Sequence, residues 1–133
     1  MNISKTSVRW GLLVSYMLLM FIVSAIPGNT LKDKGLFEFD KLLHVIEYTL
    51  LGLFSGFAFI HPEKISRVTW ADYTLAIGWG VLFAVTDELH QYFVPGRMME
   101  LNDFIADSAG ILLGVLLYRY VFSKLVYRLN GVV

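Results

Sequence analysis

The sequence has no cysteine and few charged residues, and each absence narrows what the protein can be. Without cysteine, the 133-residue chain has no disulfide, no thiol nucleophile and no cysteine-bound zinc. Charged residues make up 17% of the chain, whereas a soluble domain has about 25%. Basic and acidic residues number eleven each, so no net charge favours binding to nucleic acid.

The sequence also lacks the short motifs that mark several enzyme classes. It contains no glycine-rich phosphate loop, no serine-nucleophile motif and no HExxH zinc motif, and it identifies no cofactor. Apolar residues, in contrast, make up 56% of the chain, and the mean hydropathy is +0.62. A soluble protein this small could not cover so many apolar side chains with polar ones. The composition therefore predicts one integral membrane domain, residues 1–133.

Four apolar runs are each long enough to cross the hydrocarbon core of a bilayer. A backbone exposed to lipid must satisfy its own hydrogen bonds, which favours helices over isolated strands. The predicted fold class is therefore all-α, an integral membrane bundle of four transmembrane helices at about residues 10–26, 42–60, 73–94 and 104–122.

The distribution of basic residues predicts the orientation of this bundle. Four crossings place both termini and the loop between the second and third spans on one side. Because basic residues are more frequent on the cytoplasmic side, the termini are expected to be cytoplasmic. The seven basic residues on the side of the termini are Lys5, Arg9, Lys64, Arg67, Arg119, Lys124 and Arg128, and the four opposite are Lys32, Lys34, Lys41 and Arg97.

Polar residues inside the spans concentrate at one end of three helices. Because successive helices alternate in direction, the start of the second span, the end of the third and the start of the fourth lie at the same membrane face. By the charge count this face is extracytoplasmic. Ionisable groups within a membrane are costly, so a group of them favours a functional site. The residues are Asp40, His44, Glu47 and Tyr48, then Asp87, Glu88, His90 and Gln91, then Asp103 and Asp107.

These residue types suggest roles in acid–base chemistry at that face. His44 is the predicted proton carrier, and Glu47, three residues later, is its predicted orienting partner. Asp87 and Glu88 form a coupled acid/base or cation-binding pair, because adjacent carboxylates repel unless they share a proton or a cation. Arg97 is predicted to hold an anionic head group. The residues predicted to complete the substrate pocket are Lys41, Tyr48, Gln91, Asp103 and Asp107.

Each of these features also has a structural explanation. His44 and Glu47 can belong to a hydrogen-bond network between helices, Asp103 can be a helix cap, and Arg97 can be an interfacial anchor. Two histidines among several acids could also bind a divalent metal, although their spacing is not diagnostic. The remaining features with simple structural explanations are Asp40–Lys41 as a helix start and anchor, His90 as an interfacial side chain, and Gly52, Gly56, Gly110 and Gly114 as helix contacts or as a surface for homo-oligomer formation.

Several short motifs resemble the VanZ-like family of small bacterial membrane proteins, over roughly residues 21–117. The resemblance implies a multi-pass protein of the bacterial cytoplasmic membrane, in a family whose namesake is associated with resistance to the glycopeptide teicoplanin. This chain has Asp107 where the family commonly has asparagine, which makes the predicted site more negative. The motifs are SAIPG at 24–28, DKLLH at 40–44, Tyr48, Gly52, Asp87–Glu88, Gln91, VPGR at 94–97, Asp103, Gly110 and Gly114.

Three functions are compatible with these features. The first is an enzyme that acts on a lipid or lipid-linked cell-envelope precursor from the outer leaflet. The second is a non-catalytic module that binds a lipid or an antibiotic at the same surface. The third is a proton or ion pathway, which is disfavoured because the polar groups of the spans do not extend across the membrane.

Overall fold

The structure, a computed structural model, describes residues 5–33, 40–61 and 67–122, together with 124, 125 and 128. Lys34 and Lys64, which contributed to the charge count, lie outside the described residues, and so does the side chain of Asp40. The described part is helical and contains no strand, which confirms the all-α prediction. The helices are α1 (Lys5–Ser24), α2 (Gly28–Asp33), α3 (Asp40–Phe59), α4 (Trp70–Tyr92) and α5 (Leu101–Leu117), which continues as a π-helical turn (Tyr118–Phe122).

Both ends of α4 differ by two or three residues from the ends of the predicted third span. α4 begins at Trp70, three residues before the predicted span, because Thr69 and Asp72 form a reciprocal capping box. It ends at Tyr92, two residues earlier than predicted, and the chain then turns through Pro95 and Gly96. The short helix α2 was not predicted from the sequence.

α3 is the central helix, and it packs against α5, α4 and α1. Its contact with α5 is close because glycines on both helices face one another. The Cα atoms of Gly52 and Gly114 adjoin, and a Cβ added to Gly114 would lie 2.1 Å from the carbonyl oxygen of Thr49. Gly110 likewise faces the carbonyl oxygen of Val45. The small residues noted in the sequence therefore pack helices together within the chain.

Three described helices are long and apolar enough to cross a membrane: Lys5–Ser24, Lys41–Phe59 and Leu101–Val121. α4 is long enough but is not among them, because polar residues near both of its ends, including Asp72, Asp87 and Glu88, lower its hydropathy. Large apolar side chains also cover the outside of the bundle. These features fit a membrane protein with three apolar helices, whereas the sequence predicted four spans.

Candidate functional site

Six polar side chains from α3, α4 and α5 meet at the end of the bundle where α3 and α5 begin and α4 ends. All six residues are buried, although a buried polar group in a membrane protein is costly without a partner. The three helices therefore bring together residues that are far apart in the sequence, as their alternating directions predicted. We call this group the polar cluster; it consists of His44, Tyr48, Asp87, Glu88, Gln91 and Asp107.

An imidazole–carboxylate hydrogen bond joins α3 to α5 within the polar cluster. Nδ1 of His44 lies 2.7 Å from Oδ1 of Asp107, and both side chains are buried. A carboxylate in this position fixes the orientation of the ring and stabilises the ring when it carries a proton. Nδ1 of His44 therefore pairs with Asp107, and the orienting role of Glu47 stays a prediction.

A second group of hydrogen bonds joins α3 to α4 at the same level. The hydroxyl of Tyr48 donates to Oδ2 of Asp87 over 3.0 Å, and Nε2 of Gln91 donates to the same oxygen over 3.2 Å. The rings of His44 and Tyr48 lie parallel, with their centroids 6.4 Å apart. Asp87 is thus held by two neutral donors from two helices, while its Oδ1 is buried and accepts no hydrogen bond from the described residues.

Glu88 lies in the polar cluster beside the imidazole–carboxylate pair. Its Oε2 accepts a hydrogen bond from the backbone N–H of Glu100 over 3.1 Å. One ligand atom from each of Glu88, His44 and Asp107 can be chosen so that all three lie within 4.8 Å of one another. Glu88 therefore lies among ligand atoms of α3 and α5, and its predicted pairing with its neighbour Asp87 stays a prediction.

A charged rim borders the polar cluster where the loop after α4 meets the start of α3. Nζ of Lys41 lies 2.8 Å from Oε2 of Glu100, and it also contacts Oδ1 of Asp103. Lys41 remains half exposed, whereas the Asp103 side chain is buried. Asp103 lies within the first turn of α5, and Glu100 occupies the cap position. Glu100 was not predicted from the sequence, where its position immediately before an apolar helix was the only indication of a role.

Two proline–glycine turns hold Arg97 near this rim. The backbone N–H of Gly28 donates to the carbonyl of Pro95 over 3.0 Å, and a Cβ at Gly28 would collide with the carbonyl oxygen of Gly96. Gly96 itself has a φ of +76°, a conformation that glycine adopts without strain. Nε of Arg97 donates to the carbonyl of Ile26 over 3.4 Å.

Glu47 is half buried and lies within electrostatic range of several charged groups of this end. These groups are His44, Asp87, Asp107 and Arg97. Its backbone carbonyl accepts a hydrogen bond from the hydroxyl of Tyr16 over 3.0 Å, which ties α3 to α1. The Arg97 guanidinium and the Glu47 carboxylate therefore belong to the same electrostatic environment as the polar cluster.

His90 faces away from the polar cluster and toward α1. Its Nδ1 lies 3.2 Å from the hydroxyl oxygen of Ser24, and its ring stacks on Phe21 with the centroids 4.0 Å apart. His90 therefore joins α4 to α1, which is a structural role. Of the two histidines that suggested a metal site in the sequence, only His44 lies among the acids.

An apolar groove between α4 and α5 reaches Glu88 from the outside of the bundle. Its volume is about 490 Å³, a size at which binding pockets are usually found. Glu88 and Glu100 supply its carboxylates, and apolar or aromatic side chains supply the other lining residues. The groove therefore connects an apolar outer surface to an acid of the polar cluster. Its lining residues are Val85, Glu88, Tyr92, Met99, Glu100, Leu101 and Phe104.

The opposite end of the bundle also contains polar contacts, which were not predicted from the sequence. Arg9 is buried in α1, contacts Nδ1 of His61 and lies over the ring of Phe57 at 5.4 Å. Nε of Arg119 donates to the hydroxyl of Tyr73 over 2.7 Å. An apolar core that includes Leu51, Phe83, Ala84 and Ile111 lies between the two polar ends.

One family model matches the chain. The model is described as VanZ/LLP1 and matches residues 3–123, nearly the whole length. No curated protein matches the chain, and no solved structure does. The family predicted from the sequence motifs is therefore confirmed.

Proposed function

The chain belongs to the VanZ/LLP1 family, and from this premise we propose that it is a four-span protein of the bacterial cytoplasmic membrane that binds and acts on a lipid or a lipid-linked cell-envelope precursor. One observation supports this proposal above the others. Glu88, an acid of the buried polar cluster, also lines an apolar groove between α4 and α5. An amphipathic molecule has an apolar chain that suits the groove and a polar head group that suits the polar cluster.

In this proposal the acyl or isoprenoid chain lies in the groove and the head group lies at the polar cluster. Arg97 binds an anionic group of the head through charge-assisted hydrogen bonds. His44 takes the proton of an attacking water or hydroxyl group, whose oxygen forms a new bond to the phosphorus or acyl carbon of the ester. The bond from that atom to the leaving oxygen breaks, and His44 returns its proton to this oxygen, which leaves as the alcohol. Asp107 orients the His44 ring during both proton transfers.

The role of Arg97 predicts that Arg97→Gln weakens the binding of an anionic lipid about tenfold, because a charge-assisted hydrogen bond contributes about 1.5 kcal/mol or more. The measurement is a titration of the detergent-purified chain with a fluorescent anionic lipid-linked precursor. The matched control is Arg67→Gln, which removes an exposed arginine near the start of α4, at the other end of the bundle. Equal affinities for the two variants would contradict the assignment of Arg97.

The proposal needs α4 as a fourth span, and single cysteines can test this because the chain has none of its own. The proposed topology puts the residues before α4 in the cytoplasm and the residues after it outside. We therefore expect an impermeant maleimide to label Met98→Cys in intact cells and to label Thr69→Cys only after the cells are opened. Both positions are exposed in the structure, so access to each depends on its membrane side.

The same labelling separates the alternatives. If both positions react in intact cells, or neither does, α4 does not cross the membrane and the four-span proposal is wrong. If Thr69→Cys alone reacts, the bundle has the opposite orientation and the polar cluster faces the cytoplasm. The proposed outer-leaflet substrate would then be excluded.

Two further functions are outcomes of the same experiments. Tight binding without turnover would favour a non-catalytic lipid- or antibiotic-binding module, and glycopeptide susceptibility of cells with and without the chain tests that link directly. A conductance in proteoliposomes would support an ion pathway. The apolar core between the two polar ends argues against such a pathway. Homo-oligomer formation also stays a prediction. Among the glycines that the structure describes, Gly11 and Gly78 are open to a second copy, because an added Cβ would meet nothing within 4 Å.

A further inference from the structure

We propose that His44, Glu88 and Asp107 together bind one divalent transition-metal ion, of the class of Mn²⁺ or Zn²⁺. This inference deepens the proposed function, because the use of the metal in head-group chemistry rests on it. The binding of the metal itself rests only on the donor atoms of the three residues. It can therefore be tested without any lipid.

The three residues supply donors of suitable type from three different helices. His44 comes from α3, Glu88 from α4 and Asp107 from α5, and one ligand atom of each lies within 4.8 Å of the other two. Ligands bound at about 2.0–2.2 Å from one ion are separated by roughly 3–4 Å. A contraction of about 1 Å across the three helices would therefore complete the site.

Two buried carboxylate oxygens in this group lack a hydrogen-bond donor among the described residues. These are Oε1 of Glu88 and Oδ2 of Asp107, on side chains that are 1% and 0% exposed. An unpartnered buried carboxylate oxygen is strongly destabilising, so native structures usually provide a donor, a water molecule or a cation. Two such oxygens beside one imidazole point to a cation.

The charges of this end favour a cation over a second anion. Asp87, Glu88 and Asp107 lie in the polar cluster. Lys41 contacts Glu100 and Asp103 instead, and Arg97, although it belongs to the same electrostatic environment, donates its hydrogen bond to a backbone carbonyl. One imidazole nitrogen with carboxylate oxygens suits Mn²⁺ or Zn²⁺, whereas Ca²⁺ takes six to eight oxygens. The donor set therefore selects the class of metal.

The bound metal would resolve a difficulty in the proposed function. A phosphate head group is repelled by the carboxylates of the polar cluster, and Arg97 supplies one positive charge against several negative ones. A divalent ion with three protein ligands keeps an open position, where a phosphate oxygen can bind. The acids would then help to bind an anionic head group through the metal.

The direct test is metal binding by the purified chain after it has been stripped with a chelator. We expect the chain in detergent to bind one equivalent of Mn²⁺, measured as loss of the free-ion EPR signal, and Zn²⁺ to displace it. Glu88→Gln and Asp107→Asn should each weaken binding at least about tenfold, since even residues that only support metal ligands change affinity by that factor.

The matched control is Asp72→Asn, which removes a carboxylate at the opposite end of α4 and keeps an oxygen that can accept the hydrogen bond from the backbone N–H of Thr69. It should bind Mn²⁺ like the wild type. Glu88→Asp keeps a carboxylate and should give an intermediate affinity, so it serves if Glu88→Gln fails to fold. Wild-type protein that leaves the Mn²⁺ signal unchanged, or cluster variants that bind as well as Asp72→Asn, would overturn the metal site.

A lipid titration in chelator and in Mn²⁺ separates this inference from the proposed function. Metal binding without any lipid binding would support the metal site but exclude its proposed use in binding an anionic head group. Lipid binding that is equal in chelator and in Mn²⁺, together with no metal binding, would support the proposed function and remove the metal. Tighter lipid binding in Mn²⁺, lost in Glu88→Gln, is the result that we expect.

Discussion

Gly114→Ala should destabilise the folded bundle by about 3 kcal/mol or more, because the new methyl group would meet backbone atoms that cannot turn aside. A Cβ at Gly114 would lie 2.1 Å from the carbonyl oxygen of Thr49 and 2.8 Å from the Cα of Gly52. To relieve these contacts α3 and α5 must move apart, and both helices carry residues of the polar cluster. We expect a large loss of stability in SDS titrations followed by circular dichroism.

Gly78→Ala is the matched control, since it makes the same substitution in α4 where nothing lies within 4 Å of the new Cβ. Alanine is the better helix former by about 1 kcal/mol in water, so this variant should be as stable as the wild type or more stable. If the two variants unfold at the same SDS fraction, the close approach of α3 and α5 is wrong. The geometry of the polar cluster, which depends on that contact, would then be wrong too.

The end at which the polar residues gather was predictable from the sequence because it depends only on helix direction and residue position. Alternating helices bring the start of α3, the end of α4 and the start of α5 to one face, and the buried His44, Asp87 and Asp107 do meet there. The glycine contacts were predictable as well, because Gly110 and Gly114 recur at helical spacing.

The hydrogen-bond partners within the polar cluster were less predictable, because they depend on how each helix is rotated. Glu47 follows His44 by less than one turn and was the nearest acid in the sequence, yet the hydrogen bond of His44 Nδ1 is with Asp107, 63 residues later. His90 lies only two residues from Glu88, but its ring packs on α1. A shift of one residue along a helix rotates the side chain by about 100° and so changes which helix it contacts. Hydropathy patterns do not determine helix rotation to within one residue.

α4 shows a different limit of sequence reasoning. Its apolar middle predicted a span, but the acids near both ends lower its hydropathy below that of the other three long helices. Asp87 and Glu88, the residues that make α4 ambiguous as a span, are the ones that it contributes to the polar cluster. In this protein, the helix that contributes the most residues to the polar cluster is therefore the long helix that hydropathy does not identify as a candidate span.

His44→Gln should reduce turnover of the lipid-linked substrate by roughly 10²- to 10⁴-fold, which is the usual contribution of a general acid or base. Glutamine is polar and of similar length, but it cannot exchange a proton near neutral pH. The measurement is the rate of head-group release in proteoliposomes, followed by mass spectrometry. His90→Gln is the matched control, because the His90 ring contacts Ser24 and Phe21 rather than the polar cluster. This variant should keep most of the wild-type turnover. Wild-type turnover in His44→Gln would exclude His44 as the proton carrier.

The proposed metal site gives His44 a second role, which the same variant can distinguish from the first. If His44 acts only as a metal ligand, its loss weakens metal binding, and saturating Mn²⁺ should restore turnover. If His44 moves the proton, turnover stays low when Glu88 and Asp107 are saturated with metal. The hydrogen bond to Asp107 can orient the ring for either role, but one ring cannot play both roles at once, because a neutral imidazole that binds a metal carries its proton on the other nitrogen. Full recovery of turnover in saturating Mn²⁺ would therefore identify His44 as a ligand only. Turnover that stays at least about tenfold below wild type would identify it as the proton carrier, which is the result that the proposed function predicts for this buried pair.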